Sequence, residues 1–318
     1  MDFIRALSGD DLPALRKAPK ADLHCHSLFG TRLEKVESWS GKPLRRPPAG
    51  MKGLHGMMEY ADEVLKPHIN SLRGFEFTAE SAVQDAIEDG VTLLEMSFAV
   101  RAAKLFYEDG VPGFTAFIDS LADRYRYRID LRPELGFMRE DAGSPGVLDL
   151  AVHAIDSGVF RSIDLYSHQE ACPPEAVRPL YSHARTQGLK LKAHVGEFDR
   201  AEEVRRTVEV LELDEVQHGI AASKSKEVMK WLSDARVRLN VCPTSNVMLG
   251  GAENLSSHPI RTLYDHGVQV TVNSDDPMIF GQSVSDEFRN LFQAGVFTAE
   301  ELDSIRTLSL DHSECTRS

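Results

Sequence analysis

The feature of this chain that most constrains its fold is an alternation. Eight short runs rich in β-branched and aliphatic residues, at 20–26, 91–97, 131–138, 159–166, 189–195, 214–218, 237–242 and 268–274, each end in polar or ionisable side chains. Between most of them lie segments whose apolar residues recur at helical spacing, such as 201–213 and 223–235. Strand, helix, strand, repeated along a chain, builds a parallel sheet, because parallel neighbours need a crossover long enough to hold a helix. Eight such units in 318 residues predict an α/β fold, a (β/α)8 TIM-type barrel with parallel strands. In such a barrel the C-terminal strand ends and the loops after them carry the chemistry. An open doubly wound sheet is the alternative that the alternation leaves standing.

The spacing is uneven in one place. About 64 residues separate the first run from the second, opening with a Gly-, Pro- and Arg-rich stretch and continuing in a helical pattern over 54–70. Loops this long are functional or disordered more often than idle. One rooted after the first strand hangs over the barrel mouth, so residues at about 27–70 are expected to form a cover, with 42–51 either its ordered edge or a loose surface insert. No interdomain linker or repeat is visible, and residues 1–318 read as one barrel domain. The 49 acidic against 36 basic residues give a net charge of −13, which repels phosphate backbones and anionic surfaces and argues against nucleic acid and membrane as partners. The N-terminal stretch has acids where a signal peptide would need an apolar run, and no run approaches ~18 apolar residues, so neither secretion nor a membrane span is expected. The four cysteines, Cys25, Cys172, Cys242 and Cys315, are scattered without a C-x-x-C pair, which fits a reducing compartment, with the cytoplasm as the expected location.

The ends of the runs carry the chemistry. His24 and His26 stand two apart on the first run and so project to one side of a strand. H-x-H alone is weak evidence for a metal. The fifth run, however, ends in His194-Val195-Gly196-Glu197, the sixth in His218-Gly219 and the eighth in Ser274-Asp275-Asp276-Pro277, and in a barrel these ends are neighbours. Three imidazoles (His24, His26, His194) and one carboxylate (Asp275) suit a single Zn²⁺ with an open position, and such an ion lowers the pKa of its water toward ~7. Glu197 is then placed to donate or accept a proton, and His218 to handle the proton of the attacking water.

H-x-H, H-x-G-E, H-G and S-D-D-P, in this order and at these separations, resemble the adenosine deaminase family of the metal-dependent amidohydrolase superfamily. Asp164-Leu165, Cys242-Pro243-Thr244-Ser245-Asn246 and His258-Pro259-Ile260 extend the likeness over nearly the whole chain. The resemblance implies one zinc on His24, His26, His194 and Asp275, and an activated water that adds to the amino-bearing carbon of an aromatic N-heterocycle. It also implies Glu197 protonating the adjacent ring nitrogen, His218 orienting the water, Asp276 holding the base, and loss of ammonia. Asp276 has a second reading, as the helix N-cap before Pro277. No lysine ends the fourth run, where two-metal relatives carry one, so a single metal is expected.

Three departures from the family pattern fall on substrate recognition. Phe29 stands where an acidic residue usually holds a ribose hydroxyl, Ser167 replaces a glycine whose backbone approaches the purine, and Ser97 sits at the place of a usual arginine. The resemblance with these changes implies a deaminase of purine metabolism whose small-molecule substrate is an amino-heterocycle other than plain adenosine: a modified adenine nucleoside, a free aminopurine or a related ring. Arg45 and Arg46 either meet a phosphate or carboxylate on it or are simply solvated. Another mononuclear amidohydrolase reaction and a non-catalytic purine-binding barrel are the competing functions, and a homo-oligomer stays open. Cys25, Cys242 and His258 read as structural, His258 as a surface or capping histidine.

Overall fold

The computed structural model describes residues 2–310. Its eight strands are β1 Lys20–His26, β2 Val91–Ala99, β3 Asp130–Met138, β4 Ser162–Tyr166, β5 Lys190–Val195, β6 Glu215–His218, β7 Arg238–Val241 and β8 Val270–Val272. They pair in chain order with every neighbour parallel. The segment after β8 meets β1 through a parallel bridge between Cys25 and Asp275, so the (β/α)8 barrel predicted from the alternation is the fold. The Asp275 N–H donates to the His24 carbonyl at 2.9 Å, and the His26 N–H donates to the Asp275 carbonyl at 3.3 Å. Ring closure thus sets Asp275 between the two histidines of β1.

Several strands are shorter than their apolar runs. Phe160, Val237 and Val268 are buried but precede the paired residues of β4, β7 and β8. Burial beneath the outer helices selects the same residue types as ladder pairing does, so apolar approach segments look like strand in a sequence.

Between β1 and β2 the chain forms helices Leu33–Ser40, Gly53–Tyr60 and Lys66–Ile69, before the long helix Leu72–Glu88 that packs on β2. The pattern over 54–70 suggests one helix, but a π-helical turn, Ala61–Leu65, interrupts it. Pro67 lies just beyond; it lacks the N–H that an α-helical ladder needs there, and wider turns commonly absorb such a break. The cover has its own apolar core, in which Phe29, Leu33, Val36, Met57, Tyr60 and Leu65 pack with Met278, Ile279 and Phe280 from beyond β8. Residues 42–51 hold no helix or strand but are tied down. Leu44 N–H donates to Glu37 at 2.8 Å, the Tyr60 hydroxyl to the Arg45 carbonyl at 2.6 Å, and Met51 N–H to the Met248 carbonyl at 2.7 Å.

Among the described residues no helix is long and apolar enough to cross a membrane. Cys25, Cys172 and Cys242 are buried free thiols, and Cys315 lies outside the described residues.

Candidate active site

The C-terminal ends of β1, β4, β5, β6 and the β8 loop converge on the floor of a cavity of about 660 Å³. Period-two alternation turns His24 and His26 inward from β1 and His194 from β5. His24 Nε2 and His194 Nε2 lie 3.0 Å apart. Asp275 Oδ1 lies 3.6 Å from His24 Nε2 and 3.4 Å from His26 Nε2. The His24 ring has its centroid 4.6 to 5.4 Å from those of His26, His194 and His218, and the His194 centroid lies 5.3 and 5.2 Å from those of His26 and His218.

This donor set fits a metal. Ligands on a tetrahedral Zn²⁺ at ~2.0–2.1 Å stand about 3.3 Å from one another, close to the separations of His24 from His194 and of Asp275 from His24 and His26. The donors fall into two groups that share His24, one with His26 and Asp275 and one with His194 and His218, each within 4.8 Å. With both Nδ1 atoms set against oxygen acceptors, the two Nε2 atoms 3.0 Å apart present lone pairs to one point. The free ring nitrogens are already oriented: His24 Nδ1 meets the Asn240 carbonyl at 3.2 Å, and His194 Nδ1 meets Asp164 at 2.9 Å. Such partners fix the tautomer of a ligating histidine. At His26 the surroundings favour positive charge: burial alone would push the ring down, but Asp276 and Asp275 outweigh it and hold it up at about 10. Asp275 is pushed up by burial, yet His24 and His26 hold it below the usual carboxylate range.

Glu197 and His218 complete the floor. Gly196, between His194 and Glu197, has φ +71°, and a Cβ there would come within 2.3 Å of Val204; only glycine makes this turn. Glu197 Oε1 is buried without a hydrogen-bond partner, and Oε2 lies 3.6 Å from His218 Nε2. Burial, reinforced by Asp275, pushes the Glu197 carboxyl well above its ordinary value. His218 is pushed down to about 3 by burial, so its imidazole is neutral; Nδ1 meets the Asn246 amide at 3.1 Å and Nε2 lies 3.9 Å from Asp275. Three of the six non-glycine residues with positive φ among the described residues, Ser167, His218 and Asp275, stand at this cavity. Strained backbone concentrates at functional sites, where the surrounding structure holds it in place.

Asp276 sits at the N-cap position of the short helix Pro277–Phe280, but its side chain makes no cap bond. Its Oδ1 is buried without a partner and the residue lines the cavity, so the capping reading is set aside. Burial and Asp275 push the carboxyl up to about 8. Phe29, Ser97 and Ser167 all line the cavity. Phe29 is shared with the cover core, and the Ser97 hydroxyl is buried without a partner. The Ser167 hydroxyl instead donates to Glu140 at 2.8 Å, and the residue keeps the left-handed backbone (φ +82°) natural to glycine.

Arg45 and Arg46 stand at the surface, more than half exposed, and do not line the cavity; there Arg45 pairs with Glu63 at 2.9 Å, and Arg46 with Glu34 and Glu37 at 2.9 and 3.0 Å, which stitches the cover together. One expectation needs correction. His258 does cap, accepting from Ile260 N–H at 3.1 Å, but it is buried, not on the surface. Sequence reasoning also missed the residues behind the floor. Asp164 was visible only as a motif match, and Arg139, fully buried and donating to the His194 carbonyl at 2.8 Å, was not singled out. The signal available was the period-two placement of Asp164 on β4; none marked Arg139.

A barrel with histidines and carboxylates gathered on the ends of its strands is built to hold a metal and to move protons beside it. The model of the adenosine deaminase family matches residues 55–317. A putative adenosine/adenine deaminase of Treponema pallidum (strain Nichols) is 36% identical over 294 residues, covering 92% of this chain and 98% of that protein. The solved adenine deaminase of Arthrobacter aurescens superposes with a TM-score of 0.77 at 24% identity, covering 94% of each chain. A Zn-bound amidohydrolase of Burkholderia ambifaria superposes at 0.76 with 22% identity, covering 98% of this chain and 88% of that one. The chain belongs to the adenosine deaminase family.

Proposed function

We propose that the protein is a zinc-dependent aminohydrolase that releases ammonia from an amino-substituted purine or related N-heterocycle other than plain adenosine, on one barrel domain with a cover at about 27–70. One observation carries the reading: the Glu197 carboxyl, with a buried and unpartnered Oε1, stands beside the cluster of histidines. Its burial favours the protonated form, and an acid at this place is what addition to an aromatic ring requires, since breaking aromaticity is feasible only if the ring nitrogen is protonated as the oxygen adds.

His24, His26, His194 and Asp275 would hold the zinc, which when bound supplies Lewis acidity and an acidified water. Asp276, whose buried Oδ1 has no partner within the protein, hydrogen-bonds a ring nitrogen and fixes the heterocycle. Glu197 gives its proton to the ring nitrogen next to the amino-bearing carbon as the water oxygen bonds to that carbon. His218 Nε2 takes one water proton and passes it to the amino nitrogen. The C–N bond then breaks, ammonia leaves, and the remaining hydroxyl proton returns to Glu197 as the carbonyl forms. For His218 to accept at Nε2, its Nδ1 must carry the hydrogen; Asn246 Oδ1, which has no other partner, receives it once the amide is flipped.

The test is Glu197→Gln, which should lower deamination by ~10²–10⁴-fold with zinc retained. Unchanged turnover would remove the acid and favour another amidohydrolase reaction. An ammonia-release screen over aminopurines, their nucleosides, nucleotides and alkylated derivatives identifies the substrate; adenosine far ahead of all others would overturn the substrate part of the reading. The three buried free thiols favour a reducing compartment, which we take to be the cytoplasm.

A further inference from the structure

Barrels of this kind usually fill their interior with layers of branched aliphatic side chains. Here the layer beneath the site is ionic. Glu95, Glu134 and Glu215 face Lys190, Lys192 and Arg238, all but Lys190 fully buried. Burying so many charges is stabilising only when the geometry satisfies each of them, and apolar replacements of similar volume often serve stability as well or better. The arrangement therefore points to a task other than stability.

Its connections run upward to the histidines. Lys192, two residues before His194 on β5, ion-pairs with Glu95, sits 2.8 Å from Glu134, and donates to the Leu23 carbonyl at 3.2 Å, immediately before His24. Glu134 accepts from Ser162 Oγ at 2.9 Å, two residues before Asp164, which orients His194. Glu215 accepts from Asn240 Nδ2 at 2.9 Å, and the Asn240 carbonyl meets His24 Nδ1. Gln217 Nε2 on β6 also donates to the Leu23 carbonyl, at 3.4 Å; Lys192 makes the shorter bond and is the charged side chain of this layer that reaches that carbonyl from the strand of His194.

We propose that Lys192 is a positioning residue: by tethering the Leu23 carbonyl from β5 it holds His24 and His194 at the convergence a metal requires. This rests on the reading of those histidines as metal ligands. The test uses zinc affinity, measured by competition with a chromogenic chelator, alongside the melting temperature. Lys192→Met should weaken zinc binding by about 10–100-fold, the range seen when partners behind the ligands are removed, and lower the Tm. Lys192→Met with Glu95→Gln removes one charge of each sign and leaves the link from Glu134 through Ser162 toward Asp164 intact, so it should recover Tm while zinc binding stays weak. A double variant that holds zinc as tightly as the wild type would overturn the proposal, since the layer then serves only charge balance; should Lys192→Met not fold, the double variant alone decides. A wild-type protein that binds no zinc would instead sink the metal reading, and this inference with it.

Discussion

The strand ends and the cover border the same cavity but are held in opposite ways. On the floor, backbone geometry places the side chains: period two turns His24, His26 and His194 inward, and the main-chain bonds that close the barrel set Asp275 between the first two. In the cover, side chains place the backbone. Helices of eight residues or fewer are held by an apolar core that includes Phe29 and Phe280, and by ion pairs such as Arg46 with Glu34. A floor fixed by main-chain geometry leaves little room for a change in chemistry, whereas a wall held by side-chain packing can be reshaped at positions such as Phe29 without disturbing the strand ends.

The comparison breaks most readily at Asp275. Asp275→Asn removes the charge but keeps a residue that tolerates the left-handed backbone found there (φ +61°), so the barrel should close as before. Zinc retention should fall, and turnover with it by at least ~10³-fold. Metal analysis of the purified variant beside its kcat/KM provides the check. Full zinc and full activity in Asp275→Asn would mean the closure of the ring does not build the site.

Phe29→Ala addresses the wall. It removes a buried ring that joins the cover to the segment after Asp276, a truncation worth ~3–5 kcal/mol of packing. Because that packing belongs to the cover, the loss should emerge as a more open cover: KM for the preferred aminopurine up about 10-fold, kcat changed less, and faster proteolysis within 27–70. Unaltered KM and cleavage would show that the barrel, not its own core, holds the cover down.

The same contrast explains what was legible in the sequence. Strand ends are readable because a period of two and a (β/α)8 order fix neighbours that are far apart in the chain; His24, Glu197 and Asp275 are brought together by topology alone. Asp164 and Asn246 were present in the motifs, but their contacts to His194 and His218 depend on side-chain directions that no spacing encodes. The ionic layer around Lys192 was hidden for a different reason: a Lys or Glu within an apolar run reads as the solvent face of a strand, and in a closed barrel there is no solvent on the inner side. In the cover, helical content was visible over 54–70, but the π-helical turn and the partners of Arg45 and Arg46 are set by local packing.

Those arginines give the smallest expected effect and the finest division between floor and wall. Both are more than half exposed and each has its carboxylate partner on the cover itself, so the pairs should contribute at most ~1 kcal/mol each. If the pairs only stitch the cover, Arg45→Ala with Arg46→Ala should lower the Tm by no more than a few degrees, and the ratio of kcat/KM for a nucleotide to that for its nucleoside should stay within about twofold of the wild type, because an interaction screened by solvent and already satisfied by Glu34, Glu37 and Glu63 has little left to give a phosphate. A selective fall of several-fold in the nucleotide value, with the nucleoside value unchanged, would show that the arginines leave their carboxylates to meet a substrate phosphate. The cover would then select by charge as well as by shape.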